Sequence, residues 1–383
     1  MFSCLKPAPL LTLLSATLMM VNCSTAASAE DMMSPSRFTT AVRYTMPEES
    51  HPHTATWLQW PHEHQYGVTY RNRLEPVWVA MTKALVGSEA VNIVVYDEAA
   101  QTRATKQLTA AGVDLSDVHF FRWPTDDVWV RDNGPIYVFD RDGQLTIEDW
   151  GFNGWGEKAD FENCDQIPSR VAKFQGLPSV SVAKLVNEGG SVEIDGRGTL
   201  MATRSSVINA NRNPDMSQAD IEEVFHEYLG VSNFIWLNGV AGLEITDMHV
   251  DGFARFANAH TIITMSDEDL LDWEVPEGDI ETLREAKDID GVPYDQVLVP
   301  LTKHNVVTTY GKDLGFRGSY INYYIGNKVV LVPNYQDPND KVANATIQKL
   351  YPTRKVIGID VRNLIANGGM VHCVTQQQPA PAP

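Results

Sequence analysis

The strongest constraint on the fold is an alternation of two kinds of segment. Short runs rich in β-branched and aromatic residues, "VNIVVYD" (Val91 to Asp97), "VHFFRW", "GPIYVFD", "HTIITM", "KVVLVPNY" and "KVIGIDV", are each bounded by turn residues, as strands are. Between several of them the apolar residues recur at helical spacing. In "SQADIEEVFHEYLG", Ser217 stands where it can cap a first turn with Asp220 three residues on; Ile221, Val224, Phe225 and Tyr228 share one face, and Gly230 closes the run. "FENCDQIPSRVAKF" reads as a polar lead-in to a helix, and "SVEIDGRGTLMATRSSVI" as a hairpin turning at Asp195-Gly196. Strands and helices interleaved in this way make the class α/β or α+β, and pattern alone goes no further. No low-complexity linker announces a domain boundary, and no clean internal repeat stands out.

The first residues read as a targeting segment. Lys6 supplies a positive n-region, Leu10 to Val21 an apolar run too short to span a bilayer, and Ala27-Ser28-Ala29 before Glu30 a signal-peptidase site. The expectation is a signal peptide over residues 1–29 and an exported chain, periplasmic or secreted. Cys23 offers a lipoprotein anchor, but Asn22 precedes it where a small residue is needed, so cleavage after Ala29 is the favoured reading. No later apolar stretch is long enough for a membrane span, so no membrane association is expected after cleavage. A formal charge of −19 disfavours nucleic acid and anionic lipid as partners; it suits a cationic ligand, or solubility alone. With 43% hydrophobic residues in 383, the chain can bury a large core without a covalent staple. Export leaves Cys164 and Cys373, and two cysteines in an oxidising compartment invite a disulfide that would deny Cys373 a thiolate; the helix entry around Cys164 and the size of the chain weigh against it, and two free cysteines are the favoured reading. The terminal "QPAPAP" is expected to fray.

The chemistry-bearing residues stand beside glycines and aromatics. "GGMVHCVTQQQP" places Cys373 near the C-terminus, either as a small buried hydrophobe or as a nucleophile that needs partners elsewhere. "TDDVWVRDNGP" sets Asp132 at a turn, where it caps, pairs with Arg131 or is aimed into a cleft. "VNEGGSVEI" puts Glu188 before two glycines, which let a ligand or another backbone approach. In "EITDMHVDGFARF", His249 and Asp251 are two apart and on a strand would share a face, with Gly252 clearing space beside them. That pair reads as metal ligands, as an oriented acid/base or as a core hydrogen-bonded pair. His51, His53, His62, His64 and His372 are scattered without zinc spacing, which leaves metal the weaker option.

One Cys, one His and several carboxylates suit a cation. A thiolate attacks, an imidazole protonates a leaving group and then activates water, and carboxylates hold a positive group. An ordinary amide would need an oxyanion hole instead of acids. A guanidinium is planar, cationic and pairs bidentately with carboxylates, so acids around a Cys point to attack on a guanidinium carbon.

The motifs resemble those of the agmatine deiminase and bacterial peptidylarginine deiminase family, within the guanidine-modifying, or pentein, superfamily. The resemblance runs from "MPEESHPHTATWLQWP" (Met46 to Pro61) through "WVRDNGP", "NEGGSVEIDGRGTL", "NANRNP", "TDMHVDGFARF", "SYINYY" and "VPNYQDPNDKVA" to "GGMVHCVTQQQP", nearly the whole chain after Ala29. It implies an α/β fold, a five-bladed α/β propeller forming a single catalytic domain over residues 30–383. By the same resemblance Cys373 is the nucleophile, His249 the general acid/base, Asp132 and Asp251 the guanidinium-binding acids, and Glu188 an acid orienting His249 or the substrate. Asn322 is implied to shape the site, with Trp129 and Trp60 as walls, although an aromatic beside a glycine is as readily core. The resemblance implies no metal and no organic cofactor. Its substrate is a small cationic guanidinium compound or an arginine side chain, with agmatine, on the route to putrescine, favoured over peptidyl or free arginine. Export departs from the family's generally intracellular agmatine deiminases, and Met248 stands where the family commonly has glycine. An amidinotransferase, a polyamine-binding protein and a metallohydrolase are the rival readings.

Overall fold

Every run singled out as a strand forms one, and the helices between them decide which strands become parallel neighbours. The computed structural model describes residues 37–182 and 185–381; the expected signal peptide lies outside them. The strand His53–Gln59 pairs antiparallel with Gln376–Pro379 on one side. On the other it pairs parallel with Ala90–Val95, reached by a crossover through the helix Gly67–Leu85.

That ββαβ unit recurs. Ile136–Asp140 runs antiparallel to Leu145–Asp149, and Ser179–Ser181 joins in parallel after the helix Ile167–Gln175. Val192–Ile194 and Thr199–Thr203 form the expected hairpin, with Asn233–Leu237 parallel to it beyond the helix Gln218–Leu229. Arg255–Asn258, Thr261–Thr264 and Asp295–Leu298 repeat the pattern, as do Tyr324–Ile325, Val329–Asn334 and Lys355–Asp360. Parallel strands need a crossover of a dozen or more residues, which is why an amphipathic helix sits in each unit after its second strand. From Phe38 onward the chain forms one compact unit.

The helix Gln218–Leu229 shows how local chemistry sets an element. Ser217 accepts from the Asp220 N–H while the Asp220 carboxylate accepts from the Ser217 N–H, a complete capping box, and Gly230 ends the helix in the left-handed region. Its buried face, Ile221, Phe225 and Leu229, packs into a core with Leu200, Val207 and Trp236, while Val224 and Tyr228 lie partly buried against the same cluster. Ser217→Ala is expected to cost about 1 kcal/mol of stability, measured as a lower denaturation midpoint at unchanged denaturant slope.

Several expectations are corrected. His249 and Asp251 are not on a strand: Asp251 lies in the helical turn Val250–Gly252, and His249 immediately precedes it. The backbone there cannot be extended, because Asp247 and Met248 both take positive φ, 62° and 74°. The tail does not fray at Gln378-Pro379, which belong to the strand paired with His53–Gln59, and the Ala380 N–H still donates to the Pro52 carbonyl. Cys164 and Cys373 are both free thiols, the outcome the sequence favours, so this reading needs no correction. Among the described residues no helix is long and apolar enough to cross a membrane.

Candidate active site

The turns leading into the first strands of the five units carry the polar residues singled out above. Val130–Asn133 brings Asp132, Gly189–Ser191 follows Glu188, Val250–Gly252 follows His249 and brings Asp251, and His372–Val374 brings Cys373. The fifth lead-in, before Tyr324–Ile325, brings Asn322. A single helical turn ahead of a strand leaves its side chain at the strand's end, beyond the ladder, so repetition of the unit gathers these residues in one place.

Hydrogen bonds define how they meet. His249 donates from Nε2 to Glu188 Oε2 at 3.1 Å, and its Nδ1 lies 3.6 Å from Asp132 Oδ1. Asp132 also accepts from Trp155 Nε1 at 3.0 Å and from the Gly190 N–H at 3.1 Å. Arg131 does not pair with Asp132; its guanidinium reaches Glu49 Oε2 at 3.4 Å. Asn322 Oδ1 accepts from the His372 N–H at 3.0 Å and from Cys373 Sγ at 3.4 Å, while its Nδ2 donates to the Asp251 carbonyl. Asp132, Glu188, His249, Asp251 and Asn322 are buried, and Cys373 is partly exposed.

Burial and charge set the protonation states. Burial pushes the Asp132 carboxyl up to about 6, with the charges of Asp251 and Glu188 adding to the effect and His249 opposing it. Burial also works against a charged His249, but the Asp132 and Glu188 carboxylates outweigh it and hold the ring up at about 9. For Asp251 burial is outweighed by the hydrogen bond and charge of His372, and its carboxyl lies below the usual range. Cys373 goes the other way: burial first, then Asp251 and Asp132, push the thiol well above its ordinary value. The site therefore holds a neutral thiol among anions.

A cavity of about 170 Å3 opens over Cys373 and Asp132. Trp129 and Trp155 line it with Tyr66 and Tyr70. Trp60 does not: it is fully buried in the large hydrophobic cluster with Leu74 and Trp78, and its indole donates to Glu75 Oε1 at 3.2 Å. The double glycine before Cys373 has a steric reason, since a Cβ on Gly369 would overlap the Trp129 ring and stand 3.1 Å from Cys373 Cβ.

Two supporting layers surround this set. His372, beside Cys373, hydrogen-bonds through Nδ1 with Asp251 Oδ2 at 2.6 Å and through Nε2 with Glu49 Oε2 at 2.7 Å, and so bridges the two acids. Glu49 is further held by Arg255 Nη2 at 2.9 Å. Arg212 Nε donates to Glu188 Oε1 at 2.9 Å, with both side chains fully buried, and its Nη1 pairs with Asp247. Glu49, Arg212, Asp247, Arg255 and His372 all lie in motifs quoted above, yet nothing local marks these pairings, because the partners are far along the chain.

A thiol held among carboxylates inside an α/β scaffold is the arrangement of an enzyme that works on cations. The family model for Porphyromonas-type peptidyl-arginine deiminases matches residues 45–379, and the chain belongs to that family of enzymes. It is 31% identical over 375 residues to an agmatine deiminase of Pseudomonas aeruginosa strain LESB58, covering 91% of this chain and 99% of the relative. With an agmatine deiminase of Stutzerimonas stutzeri strain A1501 the identity is 32% over 364 residues, 88% of this chain and 96% of the relative. The solved agmatine deiminase of Enterococcus faecalis superposes with a TM-score of 0.78 at 25% identity, over 90% of this chain and 99% of that one.

Proposed function

We propose that the chain hydrolyses agmatine to N-carbamoylputrescine and ammonia through a covalent adduct on Cys373. The observation that carries this reading is the Cys373 thiol opening on the same cavity as Asp132, whose carboxylate faces the His249 ring that Glu188 holds. In this reading Asp132 and Asp251 take the guanidinium N–H groups. Docking a cation beside Cys373 offsets the anions that keep the thiol protonated, so the substrate itself favours the thiolate. Sulfur then attacks the guanidinium carbon, His249 gives its proton to the departing nitrogen, and ammonia leaves an S-amidino adduct. His249, now neutral, takes a proton from water; the resulting hydroxide adds to the adduct carbon, the C–S bond breaks to return the thiolate, and the hydroxyl proton of the product passes through solvent to the released ammonia, leaving the neutral ureido group. The curated and solved agmatine deiminases above support agmatine as substrate, and the family model's description supports a peptidyl-arginine side chain as the alternative. Ammonia release measured side by side on agmatine, free arginine and an arginine peptide separates them. A guanidino product on adding an acceptor amine would instead indicate amidino transfer.

The same reading takes the five ββαβ units as blades of a closed propeller, supported by the convergence of their lead-in turns. It also takes the chain as exported, supported by Lys6, the Leu10 to Val21 run and Ala27-Ser28-Ala29. The mass of the chain recovered from the periplasm or medium tests this: cleavage after Ala29 is the expected result, and a full-length cytoplasmic chain the contrary one.

Turnover should follow a bell in pH. Below about 6 Asp132 takes up a proton and loses its hold on the guanidinium; above about 9 His249 loses the proton that ammonia needs. Glu188 helps to hold that proton, so Glu188→Gln should move the alkaline limb to lower pH and reduce the maximum, read from kcat/KM profiles of both proteins.

A further inference from the structure

The cavity over Cys373 has a second carboxylate that the steps above leave unused. Asp127 lines it together with Asp132, and among the described residues the lining includes no lysine or arginine. We propose that Asp127 binds the second cation of the substrate, the primary ammonium at the far end of agmatine's aliphatic chain, and so makes the site specific for a dication. This rests on the reading of the site as an agmatine deiminase.

Three features point there. The Asp127 carboxylate is held from one side: Oδ1 accepts from Tyr70 Oη at 2.7 Å and from the Val128 N–H at 2.9 Å. Asp127, Tyr70 and Tyr66 all line the cavity, so the carboxylate stands at its wall and not behind it. Tyr66 is 46% exposed, which sets this acid toward the cavity's outer part, whereas Asp132 lies among fully buried partners. Asp127 is also under-compensated. Burial pushes its carboxyl up, and the groups that oppose this are neutral hydroxyl and N–H donors, with no cation among them. An acid that served only to accept from Tyr70 and Val128 could be an asparagine; an ionised one at this cavity wall is stabilised by a positive ligand. The walls between the two acids are aromatic, Trp129 and Tyr70 among them, which suits a run of methylenes ending in an ammonium over a ring.

The geometry also sorts the candidate substrates. Free arginine carries a carboxylate where agmatine has hydrogen, and that anion would meet Asp127. A peptidyl-arginine presents neutral amides there and leaves Asp127 without a partner.

The test compares agmatine with butylguanidine, the same molecule without its amine, on the unmodified chain and on Asp127→Asn. The unmodified chain should favour agmatine in kcat/KM, and Asp127→Asn should reduce the agmatine-to-butylguanidine ratio by about 10- to 100-fold, the scale of one charge-assisted hydrogen bond. Equal losses on both compounds would mark Asp127 as a structural residue and overturn the proposal, as would an unchanged ratio. Should Asp127→Asn fail to fold, the unmodified chain still decides, since equal kcat/KM for the two compounds removes any role for the amine. Should the unmodified chain release ammonia from neither compound, the deiminase reading itself fails. Calorimetry on Cys373→Ala, with and without Asp127→Asn, then supports the assignment if agmatine binds tighter than butylguanidine only when Asp127 is present, and overturns it otherwise.

Discussion

Replacing Cys373 with alanine is expected to lower ammonia release from agmatine by at least about 10^4-fold, because the reaction loses the atom that forms its intermediate. The fold should not follow. Cys373 Sγ makes one long hydrogen bond, to Asn322, and its side chain opens on the cavity instead of filling the core. The thermal midpoint should therefore stay within about 2 °C of the unmodified chain. Two measurements check the pair of outcomes: steady-state ammonia release with thermal melting, and intact mass of acid-quenched protein during turnover. The unmodified chain should carry the substrate's mass less ammonia on the Cys373 peptide, and the alanine variant none. Near-normal turnover by the variant would rule out covalent catalysis and return the site to direct attack by water, with His249 and the acids as its only catalytic groups.

What could be read from sequence was what is local. The helix Gln218–Leu229 was legible because its cap, its apolar face and its terminal glycine lie within one stretch of chain, and the hairpin at Asp195-Gly196 was legible for the same reason. The repeated unit was not, and the reason is topological. The first strand of the unit built on His53–Gln59 is Gln376–Pro379, supplied from the opposite end of the chain, so sequence order hides one of the five copies and splits the pattern. This also explains why a terminus that looked like a fraying tail is a paired strand.

The site residues divide in the same way. Cys373, His249, Asp132, Asp251 and Glu188 could be singled out because each stands beside a glycine or in a polar break in an apolar stretch. The way His249 and Asp251 are presented could not. Their spacing matches a strand, but the left-handed backbone at Asp247 and Met248 turns the chain before His249 is reached. Met248 accepts that conformation with a buried side chain and is anchored by the Thr203 hydroxyl, which donates to its carbonyl at 2.8 Å. The pairing of Glu49 with His372 could not be read, because a contact between residues 323 positions apart leaves no trace in either neighbourhood.

The second large effect is expected from a single methyl group. Gly190 lies where a Cβ would stand 2.8 Å from both Asp132 Oδ1 and His249 Nδ1, and 3.1 Å from Asp251 Oδ2. Its backbone is not in the left-handed region, so alanine is conformationally acceptable there and the effect of Gly190→Ala is steric. The methyl can be admitted only by moving the two acids and the imidazole apart, which spoils the alignment of guanidinium, thiol and proton donor together. A displacement of about 1 Å at such a centre costs on the order of 100-fold in rate, and kcat should fall by at least that much. Separating His249 from Asp132 also weakens the main charge that holds the ring protonated, so the alkaline limb of the remaining activity should shift to lower pH. That shift distinguishes a disturbed catalytic centre from simple loss of folded protein, which would scale the whole profile and leave its limbs in place.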